Sequence, residues 1–214
     1  MTQTRSIVHL VRHGEVENPR GISYGRLPGF SLSALGRRQA RAVGLTLQAH
    51  DFDVILSSPL ERAVETATLL LMDRASPALH LDDRLIEIGS WKEGLPRRVS
   101  PVAYAKQYFD KDVRGKTEPA REVVARMRLV IDDLLARGCE SVVLVSHQAP
   151  IWLIHAAYVG GLNRVGRTRL GAGVGGLAPW LFVRPPPETG SITTLRFDGG
   201  GHFIGVEYSA PRSI

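Results

Sequence analysis

The stretch from Ser6 to Glu15, Ser-Ile-Val-His-Leu-Val-Arg-His-Gly-Glu, constrains this chain more than any other. Ile7, Val8, Leu10 and Val11 make the β-rich apolar run expected of a strand buried on both faces. The run ends at a polar tip, Arg12-His13, and Gly14 lets the backbone turn sharply beneath a ligand. Open α/β sheets bind ligands beyond the carboxyl ends of their strands, so chemistry belongs at this tip. Alone, an arginine and a histidine at a strand end can equally be structural. The weight comes from matching pieces elsewhere in the chain.

Residues 16–31 read as a loop, punctuated by Asn18-Pro19, Gly21, Gly25, Pro28 and Gly29. Ser33 is a candidate N-cap for a helix running to about Ala49. Phe52 to Leu56 is a short apolar strand ending at Ser57-Ser58-Pro59, where Ser58 can cap and Pro59 suits a first helical turn. The helix that follows, about 60–72, carries Arg62 in its opening turn. Leu79 to Leu81 and Leu85 to Ile88 are weaker extended segments, and Asp82 and Asp83 between them are read as capping or solvated residues.

Residues 89–117 are irregular, with one short helix expected near Val102 to Phe109. A helical stripe of Val124, Met127, Ile131 and Leu134 marks the span from Glu118 to Arg137. Val142 to Val145 is the second clear core strand, and it delivers Ser146-His147 to the edge that presents His13. A helix from about Pro150 to Val159 follows, then a Gly-rich stretch and Pro185-Pro186-Pro187. Ile192 to Phe197 and Phe203 to Tyr208 flank Asp198-Gly199-Gly200-Gly201 and read as a hairpin. Strands separated by helices predict a three-layer α/β/α sandwich with a mostly parallel central sheet and an antiparallel edge hairpin. At 214 residues, one domain over the whole chain is the expectation.

The composition narrows the partners. Charged residues make up 22% and hydrophobic ones 43%, as in ordinary globular proteins. The N-terminus shows no h-region or cleavage site, no apolar run of about eighteen residues exists, and the single Cys139 cannot form an internal disulfide. The expectation is a cytoplasmic protein without a membrane partner. A net charge of +6 favours anionic partners, but the arginines are spread over every predicted helix. The clustered basic patch of a nucleic-acid binder is missing, so a small anionic substrate is the expected partner. A homodimer is left open.

Arg12-His13-Gly14-Glu15 after a first strand resembles the signature of the histidine phosphatase superfamily, the phosphoglycerate-mutase-like proteins. The likeness continues in order through Asn18, Leu32-Ser33-x-x-Gly36-x-x-Gln39-Ala40, Ser57-Ser58-Pro59-Leu60-x-Arg62-Ala63-x-x-Thr66-Ala67, Leu85-Ile86-Glu87 and Val145-Ser146-His147. The last third matches loosely. The resemblance implies the same three-layer α/β architecture.

The chemistry required fits these residues. A transferring phosphoryl group spreads negative charge over its equatorial oxygens. Arginine binds it with a planar fork that stays charged, which nominates Arg12 and Arg62. Arg62 also opens a helix, whose free N–H groups favour an anion. A neutral imidazole can attack phosphorus if its other nitrogen is held as a donor, which nominates His13 as nucleophile. The family implies a backbone carbonyl near Gly14 for that hold. His147 is expected as a second phosphate-binding histidine.

The family places the general acid on a carboxylate matched by Glu87. Its usual continuation, Gly-x-Trp-Glu-Gly, is here Trp91-Lys92-Glu93-Gly94, with an extra lysine, which leaves Glu93 as a second candidate. Asn18 matches a phosphate-contacting position, with Tyr24, Gly25 and Arg26 at the rim. The remaining histidines, His9, His50, His80, His155 and His202, carry no motif. No metal or nucleotide cofactor is implied.

Three functions follow from the resemblance. Mutases share a longer segment after the acid with a Glu-Arg-x-Tyr-Gly motif, which residues 87–117 lack, so hydrolysis of a phosphate monoester is favoured over phosphoryl transfer. A phosphate-binding pseudo-enzyme is the third reading. Arg26, Arg97, Arg98, Lys106 and Lys111 are candidates for holding a second anionic group of the substrate.

Overall fold

The computed structural model describes residues 4–72, 77–97, 117–160 and 186–211. The helix expected near Val102 to Phe109, together with Arg98, Lys106 and Lys111, lies outside the described residues. Six strands form one sheet: β1 (Thr4–Arg12), β2 (Val54–Ser57), β3 (Leu79–Leu81), β4 (Ser141–Ser146), β5 (Ile192–Asp198) and β6 (Phe203–Ser209). Their spatial order is β3-β2-β4-β1-β5-β6. The first four run parallel, and β5 and β6 pair antiparallel at one side. This is the expected α/β architecture with a terminal hairpin.

Four described helices cover the sheet: α1 (Ala34–Thr46), α2 (Glu61–Leu70), α3 (Ala120–Ala136) and α4 (Gln148–Gly160). Strand alternation decides which layer each core residue joins. Val8 and Leu10 of β1 face α3 and α4 with Val142, Leu144, Leu195 and Phe197. Val11 faces α1 and α2 with Ile55, Val143, Val145 and Ile192. β1 and β4, apolar on both faces, therefore sit in the middle of the sheet.

The expected strand at Leu85 to Ile88 is absent. Asp82 accepts a hydrogen bond from the Arg84 N–H at 2.8 Å and starts a 3₁₀ turn over Asp83–Leu85. An aspartate at a turn entry outcompetes the extended propensity of the three apolar residues behind it.

Register places the site. Arg12 of β1 pairs with Ser146 of β4, and the His13 N–H donates to the Ser146 carbonyl at 3.1 Å. The residues after each strand, His13 and His147, consequently emerge side by side. Ser58 follows β2 on the other flank of β4, its N–H donating to the Val145 carbonyl at 2.9 Å.

Candidate active site

The turn beyond β1 is seated on the start of α1. Ser33 caps that helix, its Oγ accepting from the Gly36 N–H at 3.0 Å and donating to the Glu15 carboxylate at 2.6 Å. Gln39, one turn on, accepts the Glu15 N–H at 2.8 Å. Gly14 and Gly36 cross so closely that a Cβ on either would run into the backbone of the opposite loop. The Ser33, Gly36 and Gln39 positions of the sequence motif thus serve one purpose, to hold the Arg12–Glu15 turn. Thr66 of α2 adds to it, accepting the Gly14 N–H at 3.1 Å and donating to the Arg62 carbonyl at 2.7 Å.

His13 is buried, 1% exposed. Its Nδ1 lies 2.7 Å from the Gly14 carbonyl, which can only accept, so Nδ1 carries the proton. Its Nε2 lies 3.3 Å from Arg62 Nε, which can only donate, so Nε2 carries the lone pair. Both partners demand the same neutral tautomer. Burial, then the charges of Arg62 and Arg12, hold the His13 pKa well below the usual imidazole range, against the pull of the Gly14 carbonyl.

His147 is fully buried with its ring centroid 5.1 Å from that of His13. Its Nε2 lies 2.7 Å from Ser58 Oγ, while its Nδ1 is buried with no partner among the described residues. Burial again, followed by His13 and the nearby arginines, keeps it neutral by lowering its pKa well below the usual range.

Arg12 and Arg62 are both buried, and neither is within ion-pairing distance of a described carboxylate. Arg12 donates through Nη1 to the Pro187 carbonyl at 2.6 Å, and its Nε has no partner among the described residues. Arg62 donates through Nη2 to the Gly25 carbonyl at 2.5 Å, and its guanidinium lies 4.8 Å over the Tyr24 ring. Tyr24 is braced by stacking on Phe30. Two buried cations without anionic partners are costly, and an arriving anion removes that cost.

Glu87 follows the 3₁₀ turn. Its carboxyl accepts the Ile88 N–H at 2.8 Å and has Arg62, Arg12 and the Ala149 N–H around it. Burial pushes its pKa up, and those charges and N–H groups only partly offset the rise. Glu93, the alternative carboxylate, instead accepts the N–H of Arg26 at 3.0 Å and fills the space a side chain at Gly25 would need. Gly25, at φ +41°, is a position where only glycine fits.

The structure thus gathers Arg12, His13, Arg62, His147 and Glu87, with Tyr24 and Gly25 at the rim. Three other expectations take a different form. Both ends of the Asn18 amide are engaged by the backbone of Ile22, at 2.9 and 3.2 Å, closing the loop. The Arg26 guanidinium turns to the Glu87 carbonyl and to Glu118, not into the pocket. Arg97 is exposed, on a strip bridged to the rim loop by Ile22 and Pro96, and burial, then the Arg97 charge, lower the Arg12 pKa. Sequence reasoning also gave no role here to Ser58, Thr66, Glu118 or the Pro187 carbonyl. Ser58 and Thr66 lie inside the matched motif; nothing in the residue types marks the other two.

Residues 8–205 match the histidine phosphatase superfamily, branch 1. The chain is 38% identical over 216 residues to an uncharacterized protein of Mycobacterium tuberculosis, covering 97% of each. It is 32% identical over 165 residues to phosphoserine phosphatase 1 of Hydrogenobacter thermophilus, covering 71% of this chain and 75% of the relative. Among solved structures, the alpha-ribazole phosphatase of Shigella flexneri superposes with a TM-score of 0.70 at 25% identity, over 97% of this chain and 98% of that one. Among the described residues no helix is long and apolar enough to cross a membrane. With the matched signature and the phosphatases among its relatives, the chain belongs to branch 1 of the histidine phosphatase superfamily, as a phosphoric monoester hydrolase.

Proposed function

We propose that this protein hydrolyses a small, anionic phosphate monoester in two displacements, through a phosphohistidine on His13 and without a metal ion. One observation carries the reading: two buried arginines without carboxylate partners stand beside a histidine whose tautomer places the lone pair on Nε2, where it accepts from Arg62.

In the first displacement His13 Nε2 attacks phosphorus while the bond to the leaving oxygen breaks. Arg12 and Arg62 take the equatorial oxygens, supplying the positive charge that other phosphoryl-transfer sites draw from metal ions. His147 donates from Nδ1, the nitrogen left without a described partner, if Ser58 donates its hydroxyl proton to Nε2. Glu87, whose pKa burial raises, gives its proton to the leaving oxygen. In the second, water attacks the phosphohistidine, Glu87 accepts the water's proton, and the bond from phosphorus to Nε2 breaks. Inorganic phosphate leaves and His13 returns to its neutral form.

Tyr24 and Gly25 border the entry, and Asn18 shapes it through its loop. Hydrolysis over mutase-type transfer is supported by the relatives that match over two thirds of this chain and have a named activity, among them a phosphoserine phosphatase and an adenosylcobalamin/alpha-ribazole phosphatase.

The test is a quench of wild-type protein during turnover of p-nitrophenyl phosphate in the presence of EDTA. An acid-labile, base-stable phosphoryl group should appear on His13, and His13→Ala should abolish both the adduct and turnover while leaving the fold intact. Retained turnover in His13→Ala removes the nucleophile assignment, and loss of wild-type activity to EDTA removes the metal-free reading.

A further inference from the structure

The carboxyl of Glu87 is placed by its backbone, and that backbone is gripped from outside the pocket. We infer that Arg26, Glu118 and Arg126 form a clamp that positions Glu87 for proton transfer; this rests on the assignment of Glu87 as the acid. Peptide groups from Arg84 to Gly89 are tied one after another. The Arg84 carbonyl accepts from Arg126 Nη1 at 2.6 Å, and that of Leu85 from Ser146 Oγ at 2.6 Å. The Glu87 carbonyl accepts from Arg26 Nε at 2.7 Å, and the Gly89 carbonyl from the Glu118 N–H at 2.9 Å. The Glu118 carboxylate then joins the two arginines, to Arg26 Nη2 at 2.6 Å and to Arg126 Nε at 2.8 Å.

Ion pairs alone do not call for this arrangement. Exposed pairs contribute little, and a pair held for charge has no reason to spend further N–H groups on carbonyls. Here each arginine divides its N–H groups between Glu118 and the segment that carries Glu87. Glu118 and Arg126 are themselves largely covered, at 16% and 15% side-chain exposure, so their geometry is fixed by packing.

The clamp also sets the acid against the phosphate cation. Gly25 and Arg26 are adjacent: the carbonyl of the first holds Arg62, and the side chain of the second holds the Glu87 backbone. One dipeptide therefore gauges the distance between the group that binds phosphate and the group that protonates the leaving oxygen. Arg26 and Glu118 are positioning residues, since neither touches the reacting atoms.

The experiment compares phenyl phosphate with p-nitrophenyl phosphate, two substrates of similar shape whose leaving groups differ in their need for a proton. Glu87→Gln is the reference, and Arg26→Gln and Glu118→Gln are the tests. Arg26→Gln should lower kcat on phenyl phosphate roughly tenfold to a hundredfold, the cost of a misplaced catalytic group. The loss on p-nitrophenyl phosphate should be much smaller, KM should hold, and Arg26→Gln combined with Glu87→Gln should be no slower than Glu87→Gln alone. Arg26→Lys, which keeps the charge but cannot reach both acceptors, should stay slow.

Arg26 lies on a partly exposed loop, so its variants test the clamp even if Glu118→Gln unfolds. Equal losses on both substrates, additive losses in the double variant, or full activity in Arg26→Lys overturn the clamp. If Glu87→Gln itself shows no leaving-group dependence, the acid assignment falls and the clamp with it. A Glu87→Gln effect without an Arg26→Gln effect removes the clamp alone.

Discussion

A buried imidazole presents one nitrogen to a ligand only if the other is occupied. His13 solves this with a backbone carbonyl and His147 with the Ser58 hydroxyl. The carbonyl accepts in any tautomer of its neighbour, whereas the hydroxyl can turn. Its Oγ also accepts the Leu60 N–H, at 3.3 Å, and keeps one proton that can turn to His147. Ser58→Ala should therefore strand Nε2 at a cost of about 1–3 kcal/mol. Nitrogen NMR of His147 should show the proton moving from Nδ1 to Nε2, together with weaker binding of inorganic phosphate. An unchanged tautomer in the alanine variant would show that Ser58 does not set it. Glu87 and Glu93 separate in the same way. Glu87→Gln should slow phenyl phosphate hydrolysis by about 10²- to 10⁴-fold and p-nitrophenyl phosphate much less. Glu93→Gln, which replaces the charged acceptor of the Arg26 N–H by a neutral amide oxygen, should lower Tm slightly without that dependence on the leaving group. A leaving-group-dependent loss in Glu93→Gln alone would transfer the acid to Glu93.

Elements meet at the crossing of the β1 turn with the first turn of α1. Neither side can yield, because a Cβ at Gly36 would meet the Glu15 carbonyl and one at Gly14 the Gly36 carbonyl. Gly36→Ala should cost about 1–3 kcal/mol, the usual range for overpacking. It should also lower kcat by displacing His13, so a variant with wild-type Tm and activity would refute the crossing. This element pair was legible in the sequence because each part is a local signal: a strand tip, an N-cap serine, glycines at fixed offsets. The core strands were legible for the same reason, since Val8, Leu10 and Val11, like Val142 to Val145, form short apolar runs that supply both layers. What could not be read is long-range and generic. The Pro187 carbonyl that fixes Arg12 is a backbone group any residue would supply. Glu118, Arg26 and Arg126 are charged residues like many others until the fold brings them together. Leu85 to Ile88 misled because three apolar residues outweighed, on paper, the capping carboxylate of Asp82.

At the scale of the whole molecule, burial holds His13 and His147 neutral in the site and does the same to His9 in the middle of β1. His9 Nδ1 lies 3.0 Å from Thr194 Oγ1, its ring lies against His50 and Phe52, and Arg196 and Glu207 face it from β5 and β6. Burial, then the charges of His50 and Arg196, lowers its pKa from 6.5 to about 4. The folded state thus binds fewer protons than the unfolded one. The stability that follows is fully present above pH 6.5 and is lost as pH falls toward 4. Between pH 7 and 5, His9 alone should account for roughly 2 kcal/mol of this loss. Urea unfolding at the two pH values should show a drop of at least that size in the wild type. The drop should be shallower in His9→Gln, and an equal drop in both would assign the effect elsewhere. The placement of β1 has a further consequence, for the order in which the protein can be made. Among the described strands β1 is translated before the others, and it lies between β4 and β5, whose partner residues for it begin at Ser141 and Ile192. This apolar strand therefore waits for β4 and β5 before its edges are covered. Such late pairing slows folding and leaves the nascent segment open to chaperones. The site also completes late, since the Pro187 carbonyl that receives Arg12 is translated only after β4.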